Sequence, residues 1–335
     1  MEFPVFQLSE TSNLLDQILP DLMDQHQVPG VSVAGIENGE FAWTRQYGVR
    51  SMQTQEAVTA NTVFEACSMT KPFCAYAMLK LVERQIMDLD TPLVKYLEHS
   101  YIENEPLHEK ITARMVLTHT SGFPNWRPGG RDSDEPLVVH FEPGTDFMYS
   151  GEGFWFLQRA VEHITNAPLD KWMDAELIHP LGMNNSSLIW KKEFHDVAAG
   201  HDKNGEVEME RNFFAQPNAA FSLYTTPADY ALFIAEIVKQ DRAASHSLGK
   251  EMLSQMLAPH YEAPHTKSYG KRTLRGLGWE ILQTANATYH GHTGANRDMF
   301  RCVCQFDVSA RAGFVLMTNA GGGEDLRSEL LAALY

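Results

Sequence analysis

The sequence predicts a mixed α/β (α+β) fold, in which an antiparallel β-sheet is flanked by helices and a mainly helical region is inserted into the sheet domain. Strand patterns occur towards both ends of the chain, helical spacings dominate its middle, and the connections between consecutive strands are short. Short connections favour antiparallel strands, because parallel strands need long crossovers. We therefore expect a sheet region of residues 1–99 plus 236–335, a mainly helical region of 100–235, and an active site in the cleft between them.

The composition limits the classes of function. The chain has 335 residues, of which 44% are hydrophobic, so it can bury a large core. Its formal net charge of −16 disfavours binding to nucleic acid or to an anionic membrane. The N-terminus MEFPVFQLSE lacks the pattern of a secretion signal, and no segment approaches the roughly 18 apolar residues of a membrane span. We expect a soluble, cytoplasmic protein, although a chain whose signal peptide had been removed would read the same way.

The first elements are a helix and a hairpin. Residues 11–27 carry apolar side chains at helical spacing, with Thr11 or Ser12 as a plausible cap and Pro20 as a possible kink. Two strand patterns then surround Asn38-Gly39, the dipeptide that best suits the left-handed backbone of a two-residue turn. We therefore expect a helix that opens the fold, followed by a β-hairpin.

The remaining elements follow in order. Apolar residues at three- and four-residue spacing after Ser68 predict an amphipathic helix that has Ser68 near its N-terminus. Short helical patterns broken by Pro and Gly clusters fill residues 100–235. Strand signals return in LRGLGWEILQ, NATYHGHTG, MFRCVCQFD and AGFVLMTNA, and EDLRSELLAALY predicts a last helix. The first and last helices are expected to cover the sheet.

Ser68 and Lys71 lie three residues apart where an extended segment turns into this helix. A serine at a helix start is usually a cap, and Lys71 would then be a solvated residue of the first turn. The same spacing also places both side chains on one helix face. A buried lysine that has lost its proton could accept one from the serine and turn its hydroxyl into a nucleophile.

Further motifs give the sequence a family resemblance. Tyr149 lies in a Gly-rich turn before a helix, in FEPGTDFMYSGEG, and His292-Thr293-Gly294 lies on a late strand. With VLTHTSGF at 116–123 and PLGMNNSSL at 180–188, these motifs occur in the order of a known family. The chain resembles the serine β-lactamase and penicillin-binding-protein superfamily, in its class C β-lactamase-related branch of esterases, DD-peptidases and D-amino-acid amidases. That branch carries S-x-x-K, Y-x-N and K-T-G or H-x-G. The resemblance implies a β-lactamase/transpeptidase-like fold.

The resemblance also implies roles for individual residues. Ser68 would attack an acyl carbon, and either Lys71 or Tyr149 would take its proton, a choice that the sequence leaves open. The backbone N–H groups of Ser68 and Ala295 would hold the oxyanion, with Ala295 on an edge strand. Gly294 would let the substrate approach that strand closely.

Two departures from the family pattern bear on the substrate. The Asn of Y-x-N, which donates to the acyl amide of peptides and β-lactams, is Gly151 here. The Lys of K-T-G, a fixed cation near the substrate carboxylate, is His292 here, and histidine is mostly neutral at pH 7. Both changes favour esters or other small acyl compounds. Arg297 or Arg301 could restore a carboxylate anchor, although a surface role is the simpler expectation.

Fewer sequence signals indicate which residues surround the predicted catalytic residues. We assign substrate binding to Gly151, Thr293, Gly294 and Trp126; Phe123, Phe154 and Trp155 could line an acyl pocket with Trp126 or belong to the core. The loop of His119-Thr120-Ser121-Gly122 is expected to be a structural turn beside the pocket.

No cofactor or metal is expected. His290 and His292 share a strand face, as do Cys302 and Cys304, but these spacings match no standard zinc motif. The four cysteines do not suggest a disulfide framework, and Cys67 is expected to be a small buried residue, with peroxide sensing as an open alternative.

The sequence therefore predicts a serine hydrolase that forms an acyl-enzyme on small esters or amides, with no cofactor, a small-molecule acyl substrate as its partner, and an oligomeric state that stays open. The alternative within the same chemistry is a β-lactamase or a D-amino-acid-specific peptidase. An alternative of another class is a non-catalytic ligand-binding or sensor protein that keeps the fold.

Overall fold

The computed structural model describes residues 8–131, 133–207, 213–268, 271–284 and 287–334. Its main feature is an eight-stranded sheet in which all neighbouring strands are antiparallel, in the order β2-β1-β10-β9-β8-β7-β6-β5. A separate two-stranded sheet pairs β3 with β4. The strands are β1 (Gly30–Glu37), β2 (Glu40–Gly48), β3 (Phe64–Glu65), β4 (Tyr224–Thr225), β5 (Tyr261–Ser268), β6 (Lys271–Arg275), β7 (Glu280–Gln283), β8 (Thr288–Asn296), β9 (Phe300–Asp307) and β10 (Ala312–Thr318).

Helices lie at both chain ends and through the middle of the chain. They are α1 (Leu8–Gln25), α2 (Thr70–Glu83), α3 (Ala113–Leu117), α4 (Gly151–Thr165), α5 (Leu169–Met173), α6 (Pro227–Val238), α7 (Lys250–Leu257) and α8 (Gly323–Leu334). The predicted mixed fold with an antiparallel sheet and flanking helices is confirmed. Among the described residues, no helix has both the length and the apolar character that a membrane span requires.

Helices α1 and α8 cover one face of the sheet, as predicted. Leu15 and Leu19 of α1 and Leu326 of α8 pack with outward residues of β1 and β10 in one apolar cluster. Helix α1 begins at Leu8, upstream of Thr11 and Ser12, so neither residue caps it. The sheet therefore has one face closed by the two chain ends.

The other sheet face carries the main core. Helix α6 packs against β1 and β10, and its Phe233 and Ile234 belong to the same apolar cluster as α2. Residues 70–81 of α2 are all buried, so this helix is enclosed on every side. Because α6 spans residue 236 and lies on the sheet, the expected division at that residue falls inside a helix, and the two-region organisation stays a prediction.

The structure shows which of the turns and strands predicted from sequence are formed. Asn38 and Gly39 have φ values of 55° and 84°, as the predicted hairpin turn requires. The stretch LRGLGWEILQ forms two strands rather than one, because the chain turns at 276–279 with Gly278 at φ 91°. The hairpin of β5 and β6, at residues where the sequence shows no strand pattern, adds the far edge of the sheet.

Candidate active site

Ser68 is the only residue between positions 62 and 81 that is not buried. It lies in a single 3-10 turn, Cys67–Met69, that links β3 to α2. Cys67 takes a left-handed conformation with φ 52°, which is costly for a non-glycine residue and sharpens the turn. No side-chain cap bond is formed here, so the interpretation of Ser68 as a helix cap is wrong. The turn instead presents its hydroxyl at the surface of a closed core.

Lys71 lies beneath this hydroxyl and is 1% exposed. Its Nζ is 3.2 Å from Ser68 Oγ and donates to Ala220 O at 2.9 Å. Its Nζ lies 4.6 Å from the centre of the Tyr149 ring, and within the described residues it forms no ion pair with a carboxylate. Burial lowers the pKa of Lys71 to about 7, because a charged amine is disfavoured away from water. The amine is thus poised to exchange a proton near neutral pH.

Tyr149 precedes Ser150, which caps α4, and it packs against the turn at His119. The two rings lie 4.4 Å apart, and His119 Nδ1 accepts a hydrogen bond from the backbone N–H of Ser150 at 3.1 Å. His119 is buried, and burial lowers its pKa, so the ring acts as a neutral support. The loop forms a turn with His119 at φ 59° and Gly122 at φ 82°, and its purely structural role stays a prediction.

The electrostatics of Tyr149 differ from those of Lys71. Burial raises the pKa of Tyr149 above its usual value, and the hydrogen bond with Ser68 and the charge of Arg275 oppose this shift only in part. The phenol is therefore protonated at neutral pH. This arrangement favours Lys71 over Tyr149 as the group that takes the proton of Ser68.

The strand β8 carries the motif His292-Thr293-Gly294 and brings it next to Ser68. Its first half pairs with β7 up to Gly291, so residues 292–296 extend past the end of β7 with that side open. The expectation of an edge strand is therefore wrong for β8 as a whole, because β7, β6 and β5 lie beyond it, but it holds locally at Ala295. Ala295 and Ser68 line the same cavities, and their role in an oxyanion hole stays a prediction.

A glycine is required at position 294 because β8 packs closely against the turn that carries Ser68. A Cβ at this position would lie 2.3 Å from Cys302 Sγ, 2.7 Å from Ala66 O and 2.9 Å from Cys67 Cβ. The glycine thus lets β8 approach the turn that carries Ser68, a reason that sequence reasoning, with its emphasis on substrate approach, missed.

Gly294→Ala is expected to lower the melting temperature by several degrees and to reduce kcat/KM, because overpacking here costs about 1–3 kcal/mol and shifts Ala295 away from Ser68. Thermal unfolding and ester kinetics measure the two effects. Adding Cys302→Ala removes one of the contacts and should recover part of the loss. An unchanged melting temperature and rate in the single variant would contradict this account.

His292 is buried at 6% exposure beside Lys71 and Tyr149. Its Nδ1 donates to Thr293 O at 2.6 Å, while its buried Nε2 has no hydrogen-bond partner. Burial and the charge of Lys71 lower the pKa of His292 to about 3. The ring is therefore neutral, as the sequence predicted, and its Nε2 is an acceptor held inside the site.

Two cavities meet at Ser68 and share Ser68, Asn125 and Ala295. The aromatic cavity has a volume of about 400 Å³ and is also lined by Lys71, Trp126, Gly129, Gly130, Arg131, Phe214, Phe221, Asn296 and Arg297. The polar cavity, of about 340 Å³, is also lined by Tyr149, Arg275, Glu280, His292, Thr293 and Gly294. Of the residues predicted to bind substrate, Trp126, Thr293 and Gly294 line these cavities and Gly151 lines neither, and their role in binding stays a prediction. Phe123 and Phe154 are fully buried in the core, and Trp155 lines neither cavity.

Sequence reasoning missed Arg275, at the end of β6. Its guanidinium pairs with Glu280 at 3.1 Å and lies 4.8 Å from the centre of the Phe147 ring, while its buried Nε has no partner. A guanidinium stays charged in proteins, so the polar cavity contains a fixed cation. The only sequence signal for it was an unremarkable arginine in LRGLGW.

Arg297 and Arg301, which were considered from the sequence as anchors for a substrate carboxylate, do not line the polar cavity. Arg301 is not on the surface but is buried in ion pairs with Asp298 at 3.0 Å and Glu324 at 3.3 Å, which occupy its charge. Arg297 is exposed and lines the aromatic cavity, away from His292.

Residues of the two pairs that were considered as metal ligands form hydrogen bonds with backbone oxygens. His290 Nε2 bonds to Leu257 O at 2.9 Å, and Cys302 Sγ bonds to Ala66 O at 2.9 Å. Within the described residues there is no group of three or more His, Cys, Asp or Glu that could hold a metal ion. Cys67, Cys302 and the other two cysteines are free and buried.

The chain is similar to known proteins of one family. The model of the beta-lactamase family matches residues 15–334. Protein flp of Staphylococcus aureus is 24% identical over 326 residues, which are 93% of this chain and 64% of that protein. A beta-lactamase of Lysobacter lactamgenus is 32% identical over 273 residues, 78% of this chain and 66% of that protein. The chain thus spans about two thirds of the length of these relatives.

Solved structures share the fold. The octameric penicillin-binding protein homologue from Pyrococcus abyssi has a TM-score of 0.79 at 24% identity, covering 96% of this chain and 77% of that one. A D-alanine carboxypeptidase from Burkholderia cenocepacia has a TM-score of 0.77 at 21% identity, covering 97% and 99%. A class C beta-lactamase gives 0.78 at 20% identity, covering 99% of both chains.

Proposed function

The chain belongs to the beta-lactamase family, and from this premise we propose that it is a serine hydrolase that forms a covalent acyl-enzyme on small esters or amides, as a carboxylesterase does. Family membership and the structural neighbours support a hydrolase of the serine superfamily. One observation carries the finer proposal: the only unburied residue between positions 62 and 81 is a serine, and its hydroxyl lies 3.2 Å from a fully buried lysine amine.

Lys71 starts the reaction by taking the proton of Ser68, because about half of the amine is neutral at pH 7 and most of it at higher pH. The freed Ser68 Oγ attacks the acyl carbon, and the amides of Ser68 and Ala295 stabilise the oxyanion. When the tetrahedral intermediate collapses, the bond to the leaving group breaks and that group takes a proton. Tyr149 is partly exposed on the polar cavity, so its phenol can pass this proton on from Lys71. Water then attacks the ester of Ser68 by the same steps.

Gly151 supports esters over acylamino compounds, because it offers no side chain that could donate to an acyl amide. His292 supports the same preference, since a buried neutral ring supplies no charge for a carboxylate. A non-catalytic ligand-binding or sensor role would not require Ser68, Lys71 and Tyr149 to be brought together.

A β-lactamase or a D-amino-acid-specific peptidase is the second candidate, and Arg275 is the observation that favours it. This fixed cation lines the polar cavity beside Thr293 and could meet the carboxylate of such substrates. The identity to a protein named as a beta-lactamase points the same way. Glu280 already pairs with Arg275, which weakens this candidate.

The test combines an ester panel with intact-protein mass after mixing with benzylpenicillin, and we expect ester turnover while the penicillin survives and the protein mass is unchanged. A lasting adduct on Ser68, or rapid loss of the drug, would favour the second candidate. In that case Arg275→Gln should reduce penicillin acylation more than ester hydrolysis. No turnover and no labelling of Ser68 by a serine-directed phosphonate would instead support the non-catalytic role.

A further inference from the structure

The position that carries the Asn of Y-x-N in related enzymes has no room for a side chain in this protein. A Cβ on Gly151 would lie 2.6 Å from Cη2 and 2.7 Å from Cζ2 of Trp126, and 2.8 Å from the backbone oxygen of Asn125. The indole therefore fills the space of the missing side chain. A polar donor beside Ser68 has been replaced by an aromatic wall.

This wall is held rigidly. The backbone N–H groups of Gly151 and Glu152 both donate to Asn125 O, at 3.0 and 3.1 Å. On the other side of Trp126, the Arg127 guanidinium forms two hydrogen bonds of 2.9 Å with the carboxylate of Glu152, which is 2% exposed. The indole thus lies between two anchored neighbours, and little conformational entropy is lost when a ligand packs against it.

The aromatic wall continues away from Ser68. Trp126 and Phe221 form an edge-to-face pair at 5.6 Å, and Phe214 and Phe221 form another at 5.1 Å. The Arg131 guanidinium lies 4.5 Å from the centre of the Phe221 ring. These four residues also line a neighbouring cavity of about 390 Å³ that extends to Trp155. The two cavities together form one cleft, called the aromatic cleft after this wall, with Ser68 at one end. Polar residues, among them Asn296 and Arg297, also line it.

The catalytic groups decide which part of a substrate enters this cleft. The leaving group needs a proton, and Tyr149, the partly exposed member of the site, lines the polar cavity and not the aromatic one. The leaving group therefore lies towards Tyr149 and Arg275. The acyl group, on the other side of the attacked carbon, lies towards Trp126.

We propose that the substrates of this site carry a bulky apolar acyl group, aromatic or long-chain, that lies in the aromatic cleft against Trp126, Phe214 and Phe221. This inference rests on the proposed function and specifies its substrate class. Each buried methylene contributes enough hydrophobic free energy for about a fourfold gain in kcat/KM. Edge-to-face packing against the fixed indole adds to the gain for an aromatic acyl group.

The test uses p-nitrophenyl esters with acetyl, octanoyl and phenylacetyl groups, together with acetyl esters of different alcohols. In the wild-type protein, kcat/KM for the phenylacetyl and octanoyl esters is expected to exceed that for acetyl by about tenfold or more. Trp126→Ala should reduce the phenylacetyl-to-acetyl ratio about tenfold, while the ranking of the alcohols stays the same. Phe41→Ala, an exposed aromatic on the outer strand β2, is the matched control and should leave both series unchanged.

Gly151→Ala provides a second variant in case Trp126→Ala is poorly folded. Its methyl group must displace the indole, so the ratio should again fall while the indole itself is retained. A wild-type preference for acetyl, or an equal loss for both acyl groups in both variants, would overturn the inference. A wild-type protein that hydrolyses the whole panel at equal rates overturns only this inference, whereas one that hydrolyses no ester and resists the phosphonate also overturns the proposed function.

Discussion

Ser68→Ala is expected to reduce ester hydrolysis at least about 10⁴-fold, the largest effect of any single substitution in this chain. Without the hydroxyl no acyl-enzyme forms, and the remaining amides and cavities can only position substrate for attack by water. Because Ser68 is partly exposed and caps no helix, the alanine protein should fold normally. The loss should therefore appear in kcat rather than in the melting temperature.

The measurement pairs steady-state kinetics with intact mass after treatment with a serine-directed phosphonate. Wild-type protein should gain one adduct that maps to Ser68, and Ser68→Ala should gain none. Ser245→Ala, which removes an exposed hydroxyl, is the matched control and should keep both activity and labelling. Turnover by Ser68→Ala near the wild-type rate, or an adduct on another serine, would refute the assignment.

Lys71→Met should have the second-largest effect, with opposite signs for activity and stability. Activity should fall by about 10³-fold or more, because the Tyr149 phenol is protonated and the buried His292, whose pKa is lowered to about 3, is too weak a base to replace the amine. Wild-type kcat/KM should rise with pH through about 7, where the Lys71 amine loses its proton, and the variant should lose this dependence. The pH profile separates a proton acceptor from a residue that only fills space.

The lowered pKa of Lys71 also makes the free energy of unfolding depend on pH. In the folded protein the amine titrates near 7, whereas in the unfolded chain it keeps its proton up to about 10.4. Between these values the unfolded state binds the extra proton, so the free energy of unfolding rises with pH by about 1.4 kcal/mol per unit. Methionine replaces the buried amine with apolar volume, so Lys71→Met should be more stable than wild type near pH 7.

Urea unfolding at pH 7, 8.5 and 10 measures this difference, which should narrow as the pH rises. Exposed Lys192→Met is the matched control and should show a constant difference from wild type across the same range. A Lys71→Met protein that is less stable than wild type at pH 7 would mean that the hydrogen bonds to Ser68 and Ala220 outweigh the burial of the amine.

The parts of the site that sequence could predict are those encoded locally. Ser68 and Lys71 share one turn, Tyr149 precedes its own helix, and His292 lies on a strand with a clear pattern, so short motifs identify them. The hairpin at Asn38-Gly39 was equally local, because the backbone conformation of the turn depends on those two residues.

The parts that sequence could not predict depend on contacts between distant segments. Arg275 reaches the site only because β6 pairs with β7 and β7 pairs with β8, an arrangement hidden by the turn inside LRGLGWEILQ. The packing of Trp126 on Gly151 joins a loop to the start of α4 across 25 positions. Its consequence, an aromatic wall on one side of Ser68 and Arg275 on the other, appears only in three dimensions.

The burial of α2 on every side has a consequence for how such an enzyme can change over evolutionary time. Because the proposed base Lys71 is buried in this helix and the proposed nucleophile Ser68 lies on the turn that begins it, substitutions that alter the chemistry are also constrained by the folding of the whole molecule. Trp126, by contrast, lies in the loop between α3 and α4, and loops accept sequence change more readily than buried helices. The proposed acyl preference can therefore change by substitution in that loop while the proposed reaction is retained.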